Sequence, residues 1–104
     1  MGSEPTEIKN DGTRIWRNDK GERHREAGPA VIYSDGEQYW YINGNLHRED
    51  GPAVIFPDGE QYWYINFHDV TDQITEWAKD RDVDLDNLTD IDKMVIKLEW
   101  VNYN

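Results

Sequence analysis

Two short motifs carry residue types that metal and acid–base chemistry use: His24 stands two positions before Glu26, and His47 stands two positions before Glu49. Zinc deaminases combine a His-x-Glu element with a Pro-Cys-x-x-Cys element, which supplies the other metal ligands. The sequence contains no cysteine, which excludes this chemistry together with thiolate metal sites, thiol nucleophiles and disulfides. We therefore predict no catalytic residues and no cofactor.

A zinc site built only from histidines is the alternative for His24, His47 and His68. Metal–nitrogen distances are about 2 Å, whereas strand pairs in a meandering sheet recur roughly every 9–10 Å. Equivalent histidines in successive hairpins are therefore too far apart to share one ion. We expect them to form turn hydrogen bonds with the arginine and glutamate of the same motif, without a metal.

The acidic stretch "DRDVDLDNLTD" has the spacing of a calcium loop at its start, with Asp82, Asp84 and Asp86 at positions 1, 3 and 5. An EF-hand needs glycine at position 6 and a bidentate glutamate at position 12, but these positions hold Asn87 and Lys93. The stretch is therefore predicted to be a solvated acidic loop, with a weak cation site of another kind as the alternative.

Other catalytic signatures are missing from the sequence as well. It contains no Gly-x-Ser-x-Gly element, phosphate-binding loop or metalloprotease motif. Serine occurs only at Ser3 and Ser34, so a serine nucleophile is hard to place. We predict that the protein is not an enzyme.

The chain is strongly acidic, with 22 acidic against 11 basic side chains, a formal net charge of −11 and a pI near 4.5. Free nucleic acid and anionic membranes repel such a chain, so we expect neither as a direct partner. No apolar run approaches the roughly 20 residues of a membrane span, which predicts a soluble protein of the cytoplasm. The favoured partner is a protein with a basic surface.

Much of this charge lies between residues 69 and 92, where nine acidic residues stand against Lys79 and Arg81, a net charge of −7. A dense row of carboxylates can imitate a nucleic-acid backbone to a basic groove, with steered and salt-sensitive association. The alternative is an ordinary solvated polar face. We call the candidate contact residues the acidic patch: Asp69, Asp72, Glu76, Asp80, Asp82, Asp84, Asp86 and Asp90.

The organisation of the chain follows from an internal repeat of 23 residues. Residues 24–43 recur as residues 47–66 with three differences, at positions 27/50, 33/56 and 34/57, and a more divergent copy covers residues 11–26. A unit of this length suits a β-hairpin with a connecting turn. Runs rich in β-branched and aromatic residues predict strands, here near 13–18, 29–33, 38–43, 52–56 and 61–66.

The repeat resembles MORN-type repeats over residues 11–66, through the ordered Asn-Gly, His, Asp-Gly and aromatic-Trp elements. It is most similar to the His-Arg-Glu-Asp-Gly-Pro-Ala variant found in small proteins of phages and large viruses. It departs from the family at Tyr62-Trp63-Tyr64, which lacks the glycine of Tyr-x-Gly-x-Trp. The resemblance implies a hairpin-repeat fold used for binding and scaffolding, and a phage or viral origin.

Residues 69–104 change to a helical pattern. Apolar residues at helical spacing predict one amphipathic helix through Val70, Ile74, Trp77 and Ala78, with Asp69 and Asp72 at its start. Thr89 with Asp92 three positions later marks the start of a second helix. We expect the apolar stripe of this second helix to comprise Ile91, Met94, Val95, Leu98 and Val101.

Together these patterns predict one α+β domain over residues 1–104. Residues 11–68 form an antiparallel β-meander of about five strands built from hairpin repeats, and residues 69–104 form an acidic cap of two amphipathic helices. Both faces of the meander carry aromatic residues, because large side chains occupy consecutive positions of two strands. We expect a partner to contact this aromatic surface: Tyr39, Trp40, Tyr41, Tyr62, Trp63 and Tyr64.

The function that these features favour is a non-enzymatic protein-binding module. The sharper hypothesis is a phage-encoded inhibitor of the anti-CRISPR or another counter-defence type, acting in the host cytoplasm and covering the basic nucleic-acid groove of a host defence complex. One alternative is a structural protein that self-assembles or dimerises through sheet edges or aromatic faces. Another is a module that binds a cation or a small ligand.

Overall fold

The computed structural model describes residues 4–101, apart from the side chain of Val101. The fold is α+β, with a six-stranded antiparallel sheet, two two-stranded antiparallel sheets and two C-terminal helices. The six-stranded sheet comprises, in spatial order, β1 (Glu7–Ile8), β2 (Arg14–Ile15), β3 (Val31–Ile32), β4 (Gln38–Tyr39), β7 (Val54–Ile55) and β8 (Gln61–Tyr62). The two small hairpins are β5 (Tyr41–Ile42) with β6 (Asn45–Leu46), and β9 (Tyr64–Ile65) with β10 (His68–Asp69).

The strands expected over 38–43 and 61–66 each divide at a tryptophan. The Trp40 N–H still donates to the Ala53 carbonyl at 2.8 Å, in line with the main sheet. The next carbonyl, that of Tyr41, instead accepts from the Arg25 N–H at 3.1 Å. The chain therefore changes its pairing partner beyond each tryptophan and continues into a small hairpin. The expectation of about five long strands is corrected to ten short ones within residues 4–101.

The turns of the main sheet form where Asp-Gly predicted them. Asp35 accepts the Glu37 N–H at 2.9 Å, and Asp58 accepts the Glu60 N–H at 2.9 Å. The glycine between each pair, Gly36 or Gly59, has a φ of 98° or 94°. Only glycine adopts this conformation without strain, so the dipeptide fixes the register of the strands on either side.

The two helices are α1 (Thr71–Asp80) and α2 (Asp90–Ile96), and α2 continues into a π-helical turn over Lys97–Val101. The predicted capping box at Thr89 and Asp92 is present. By contrast, α1 has Val70 at its N-cap without a side-chain cap; Asp69 accepts the Thr71 N–H at 2.9 Å just outside the helix. Neither α-helix described in residues 4–101 is long and apolar enough to cross a membrane.

The buried face of α1 is the predicted one, with Ile74, Trp77 and Ala78 in the core. The prediction for α2 was wrong in part: Val95 is half-buried, but Ile91, Met94 and Leu98 are 72%, 62% and 60% exposed. Ile96 is the fully buried residue, and Trp100 packs edge-on against Trp77 with ring centres 5.4 Å apart. The π-helical turn contains an extra residue, which changes the face that its side chains present.

The helices join the sheet through Trp63. Its indole is 2% exposed and lies in a core cluster with Ile74, Trp77, Ala78 and Ile96. The Trp63 N–H donates to the Thr71 hydroxyl at 2.9 Å. The equivalent N–H in the preceding copy, that of Trp40, donates instead to a backbone carbonyl, that of Ala53 next to β7. Thr71 thus replaces a neighbouring strand at the end of the sheet and begins α1.

We expect Thr71→Val to lower the free energy of unfolding by about 1–3 kcal/mol, because the Trp63 N–H would lose its acceptor at a buried site. Chemical denaturation followed by tryptophan fluorescence measures this change. Thr75→Val is the matched control, since the Thr75 hydroxyl is exposed and bonds only the Thr71 carbonyl of its own helix, at 2.7 Å. Equal effects of the two substitutions would contradict this role for Thr71.

Candidate functional site

A stack of tryptophan, arginine and glycine organises the surface beside the main sheet. The Arg25 guanidinium lies 3.9 Å from the ring centre of Trp16, and the Arg48 guanidinium lies 4.1 Å from that of Trp40. A cation at this distance from an indole face is attracted by about 0.5–2 kcal/mol. The same contact therefore occurs twice, 23 or 24 residues apart, between Trp16 and Arg25 and between Trp40 and Arg48.

A glycine closes the other side of each guanidinium. A Cβ at Gly51 would lie 2.6 Å from the Arg48 guanidinium carbon, and one at Gly28 would lie 3.2 Å from that of Arg25. The residue after each glycine contributes a carbonyl: Arg25 donates to that of Pro29 at 3.2 Å and Arg48 to that of Pro52 at 3.0 Å. This geometry explains why arginine, glycine and proline recur at fixed spacing.

The histidines of the repeated motifs have structural hydrogen bonds. His24 Nδ1 accepts the Asn43 N–H at 3.0 Å, and His47 Nδ1 accepts the Asn66 N–H at 2.8 Å. His47 Nε2 lies 3.1 Å from a Glu49 carboxylate oxygen. An Nδ1 that accepts requires the proton on Nε2, so this ring is neutral and donates to Glu49. The described residues bring no three His, Asp or Glu side chains together as a metal site.

Two grooves are lined by Arg25, and the larger of them is also lined by Arg48. The central groove, of about 610 Å³, lies between residues 25–29 and residues 47–50, with Trp40 and Ile42 in its wall. The N-terminal groove, of about 280 Å³, lies beside Trp16 and is also lined by Glu4, Arg17 and His24. Arg25, Glu26 and Ala27 line both. Basic and acidic groups alternate in these grooves, so they suit a polar segment with charges of both signs.

The acidic patch is exposed on Asp69 of β10, on α1, on the following loop and at the start of α2. Asp84 has a structural role: the Asn87 amide and the Asp86 N–H donate to its carboxylate and hold its pKa below the ordinary value. Asp92, the ninth acidic residue of this stretch, is half-buried and caps α2. None of the ion pairs among the described residues involves the acidic patch, so its charge faces solvent.

The predicted aromatic surface is divided among several environments. Tyr39 and Tyr62 are half-buried, and their hydroxyls donate to Glu37 at 2.8 Å and Glu60 at 2.9 Å. Burial, then the bond to Glu37, raises the pKa of Tyr39, whereas the bond to Glu60 is the main cause that raises the pKa of Tyr62. These rings join Tyr33 and Phe56 in an edge-to-face ladder along the sheet, with successive centres 5.4, 6.4 and 5.7 Å apart.

The other members of that surface differ in their availability to a partner. The Tyr41 ring lies 5.5 Å from the Arg23 guanidinium, and Trp40 is half-buried beneath Arg48. Tyr64 is half-buried. Trp63 was expected to contact a partner, but this needs correction because its ring is buried among the helices. The helices thus remove one tryptophan from the surface.

One exposed aromatic residue was missed by the sequence analysis. Phe67 is 63% exposed and occupies the tip of the β9–β10 hairpin, with φ values of 49° at Asn66 and 76° at Phe67. The equivalent hairpin has Asn43 and Gly44 with φ values of 50° and 84°. A two-residue turn with both φ values positive favours Asn-Gly. An alignment of the two copies identifies Phe67 from the sequence, because phenylalanine stands where the other copy has the glycine that this turn prefers.

Comparison with protein-family models, with curated proteins and with solved structures gave no match for this chain. The resemblance to MORN-type repeats therefore remains a prediction from motifs.

We expect Phe67→Gly to stabilise the protein. Relief of a left-handed conformation at a bulky residue contributes about 1–2 kcal/mol, and the extra freedom of glycine in the unfolded chain offsets about 0.4–1 kcal/mol of it. The free energy of unfolding, measured by denaturant titration, should thus rise by about 1 kcal/mol. The converse control is Gly44→Phe, which should destabilise the equivalent turn. Destabilisation by Phe67→Gly would show that the ring stabilises the fold.

Proposed function

We propose that this protein is a non-enzymatic binding module whose acidic patch covers a basic, nucleic-acid-binding surface of a partner protein. The observation that carries the proposal is the set of exposed carboxylates on α1 and the loop after it, without a neutralising ion pair among residues 4–101. A basic groove provides the complementary charge, and such charges steer association.

The loop between the helices holds its carboxylates in an ordered array. Val83, Leu85 and Leu88 are half-buried against the helical core, while Asp82, Asp84 and Asp86 between them are exposed. The Asp84 turn bonds and the Thr89 cap fix the backbone. An ordered row of charges loses less entropy on binding than a flexible acidic tail does. This favours recognition of a spaced, phosphate-like pattern.

Phe67 supplies an apolar contact at the margin of the acidic patch. It lies two residues before Asp69 in the sequence, and its ring is exposed in a strained turn. Backbone strain that brings no internal packing points to a functional role. Aromatic side chains also contribute disproportionately to binding energy at interfaces. In this proposal the carboxylates steer the partner, and Phe67 adds affinity and specificity.

The partner that best fits this chemistry is a nucleic-acid-binding complex. The motif resemblance to proteins of phages and large viruses suggests a host defence effector, such as a CRISPR nuclease, met in the host cytoplasm. Occupation of its nucleic-acid groove would inhibit it by competition. The inhibitor itself needs no catalytic group for this task.

Self-association is a second candidate, favoured by the exposed apolar residues Ile91 and Met94 on α2 and Leu98 in the π-helical turn after it. Residues three and four positions apart share one helical face, so two copies could pack these residues together. Light scattering over a range of concentrations separates the two functions. A mass that stays monomeric at high concentration removes this candidate, and a dimer lost in Met94→Glu supports it.

The binding proposal predicts that Asp80→Asn, Asp82→Asn, Asp86→Asn and Asp90→Asn together abolish partner retention. The substitutions spare Asp69 and Asp84, which support the backbone. The tagged protein is incubated with nuclease-treated bacterial lysate at low and moderate salt, and the retained proteins are identified by mass spectrometry. The control makes the same change of net charge elsewhere, with Asp19→Lys and Glu99→Lys, at two exposed residues outside the acidic patch.

Three results together would support the proposal: a nucleic-acid-binding protein is retained by the wild type and the control, it is released by added oligonucleotide, and it is lost with the patch variant. Phe67→Gly should weaken retention without lowering stability. Equal retention by a folded patch variant would rule out the acidic patch as the contact surface.

A further inference from the structure

Two nearly identical copies allow each arginine stack to serve as a reference for the other. Arg25 and Arg48 both lie over a tryptophan, both are bounded by a glycine, and both donate to a proline carbonyl. The residue two positions after each arginine differs, however: it is Ala27 in one copy and Asp50 in the other. One of the three differences between the copies therefore lies directly at the stack.

This difference leaves Arg25 without the carboxylate that Arg48 has. Arg48 Nε donates to an Asp50 carboxylate oxygen at 3.0 Å. Arg25 Nε is buried and has no hydrogen-bond partner among the described residues. Burial lowers the pKa of Arg25, because it penalises the charged form, and the nearby charge of Arg14 lowers it further. A charged donor that is shielded from water and unpaired is costly to the folded protein.

We propose that Arg25 is a binding site for a carboxylate, contributed by an aspartate or glutamate side chain of a bound protein segment. The carboxylate would enter over Ala27, on the side from which Asp50 reaches Arg48. Ala27 is exposed and lies in the wall of both grooves, so the approach is open as far as the buried Nε, which a carboxylate reaches once the guanidinium edge turns toward the groove. The central groove, at about 610 Å³, has room for the segment that carries the side chain.

The geometry of the stack suits this ligand. Trp16 and the Gly28 backbone hold the guanidinium plane between them, and the Pro29 carbonyl occupies one of its donors. The edge of the Arg25 guanidinium that includes Nε presents its donors in a fixed orientation, and a planar carboxylate matches such an edge. Arg17 lines the adjoining N-terminal groove, where its guanidinium is paired with Glu7 at 3.4 Å. The site is separate from the acidic patch and accepts a ligand of the opposite charge.

Two carboxylates of the chain itself are the competitors. Glu4 and Glu26 line the N-terminal groove with Arg25. Among the hydrogen bonds and ion pairs of residues 4–101, neither pairs with Arg25. The equivalent of Glu26 in the other copy, Glu49, bonds His47 instead of the arginine. An external carboxylate is therefore favoured, and the test must separate it from these two.

The test observes the arginine Nε–Hε signals of the ¹⁵N-labelled protein by NMR. Sodium acetate is the probe, titrated against sodium chloride at equal ionic strength and pH. We expect acetate to bind at Arg25 about tenfold more tightly than at Arg48, the factor that one hydrogen bond to a charged group contributes. Ala27→Asp should remove the response at Arg25, and Asp50→Ala should create a response at Arg48.

The outcomes are distinguishable. Equal responses of Arg25 and Arg48 in the wild type, or an unchanged response in Ala27→Asp, would overturn the proposal. A shift of the Arg25 signal by Glu4→Gln or Glu26→Gln without acetate would assign the carboxylate to the chain itself and also overturn it. A shift of that signal on dilution would support the proposal and identify the bound segment as part of a second copy.

Discussion

The architecture depends on how the chain covers a row of tryptophan rings at the ends of sheet strands. Trp16 and Trp40 are covered by the guanidinium groups of Arg25 and Arg48, each held flat by a glycine. Trp63 is covered by Ile74, Trp77 and Ile96 of the helices. A large aromatic surface is costly to leave in water. Each of the three rings therefore requires a later segment of the chain to fold back over it.

This requirement also explains where the sheet ends. Val70 and Thr71 stand 23 residues after His47 and Arg48, and the Val70 N–H bonds the Trp63 carbonyl as the His47 N–H bonds that of Trp40. Position 71 carries the short hydroxyl side chain of threonine. This side chain is too short to cover the Trp63 indole, but its hydroxyl accepts the Trp63 backbone N–H. The chain then enters α1, and an apolar helical core replaces the arginine. The cap thus supplies an acceptor for the Trp63 N–H just beyond the last strand of the main sheet, where no further strand of residues 4–101 pairs.

Sequence reasoning identified the features that are encoded locally: the α+β class, the Asp-Gly turns, the two helices and the Thr89 capping box. It did not separate Trp40 from Trp63, because both lie in the same "EQYWYIN" segment and only the helices distinguish their environments. It also misassigned Ile91 and Met94, since spacing alone does not show that α2 turns Ile96 to the core, and Leu98, which lies in the π-helical turn after Ile96. Phe67 escaped notice because its significance lies in the backbone angle that its counterpart Gly44 shares.

The use of carboxylates differs between the two parts of the molecule, and this difference supports a binding role for the cap. In the sheet, Asp35, Asp58, Glu37 and Glu60 hold turns or tyrosine hydroxyls, and Asp50 pairs with Arg48. In the acidic patch, Asp69 and Asp84 accept backbone N–H groups. The other carboxylates of the patch are exposed and repel one another. Close like charges oppose compact folding, and solubility alone would be met by charges spread over the surface. Their concentration on an ordered helix and loop is the reason for the external cationic surface proposed above.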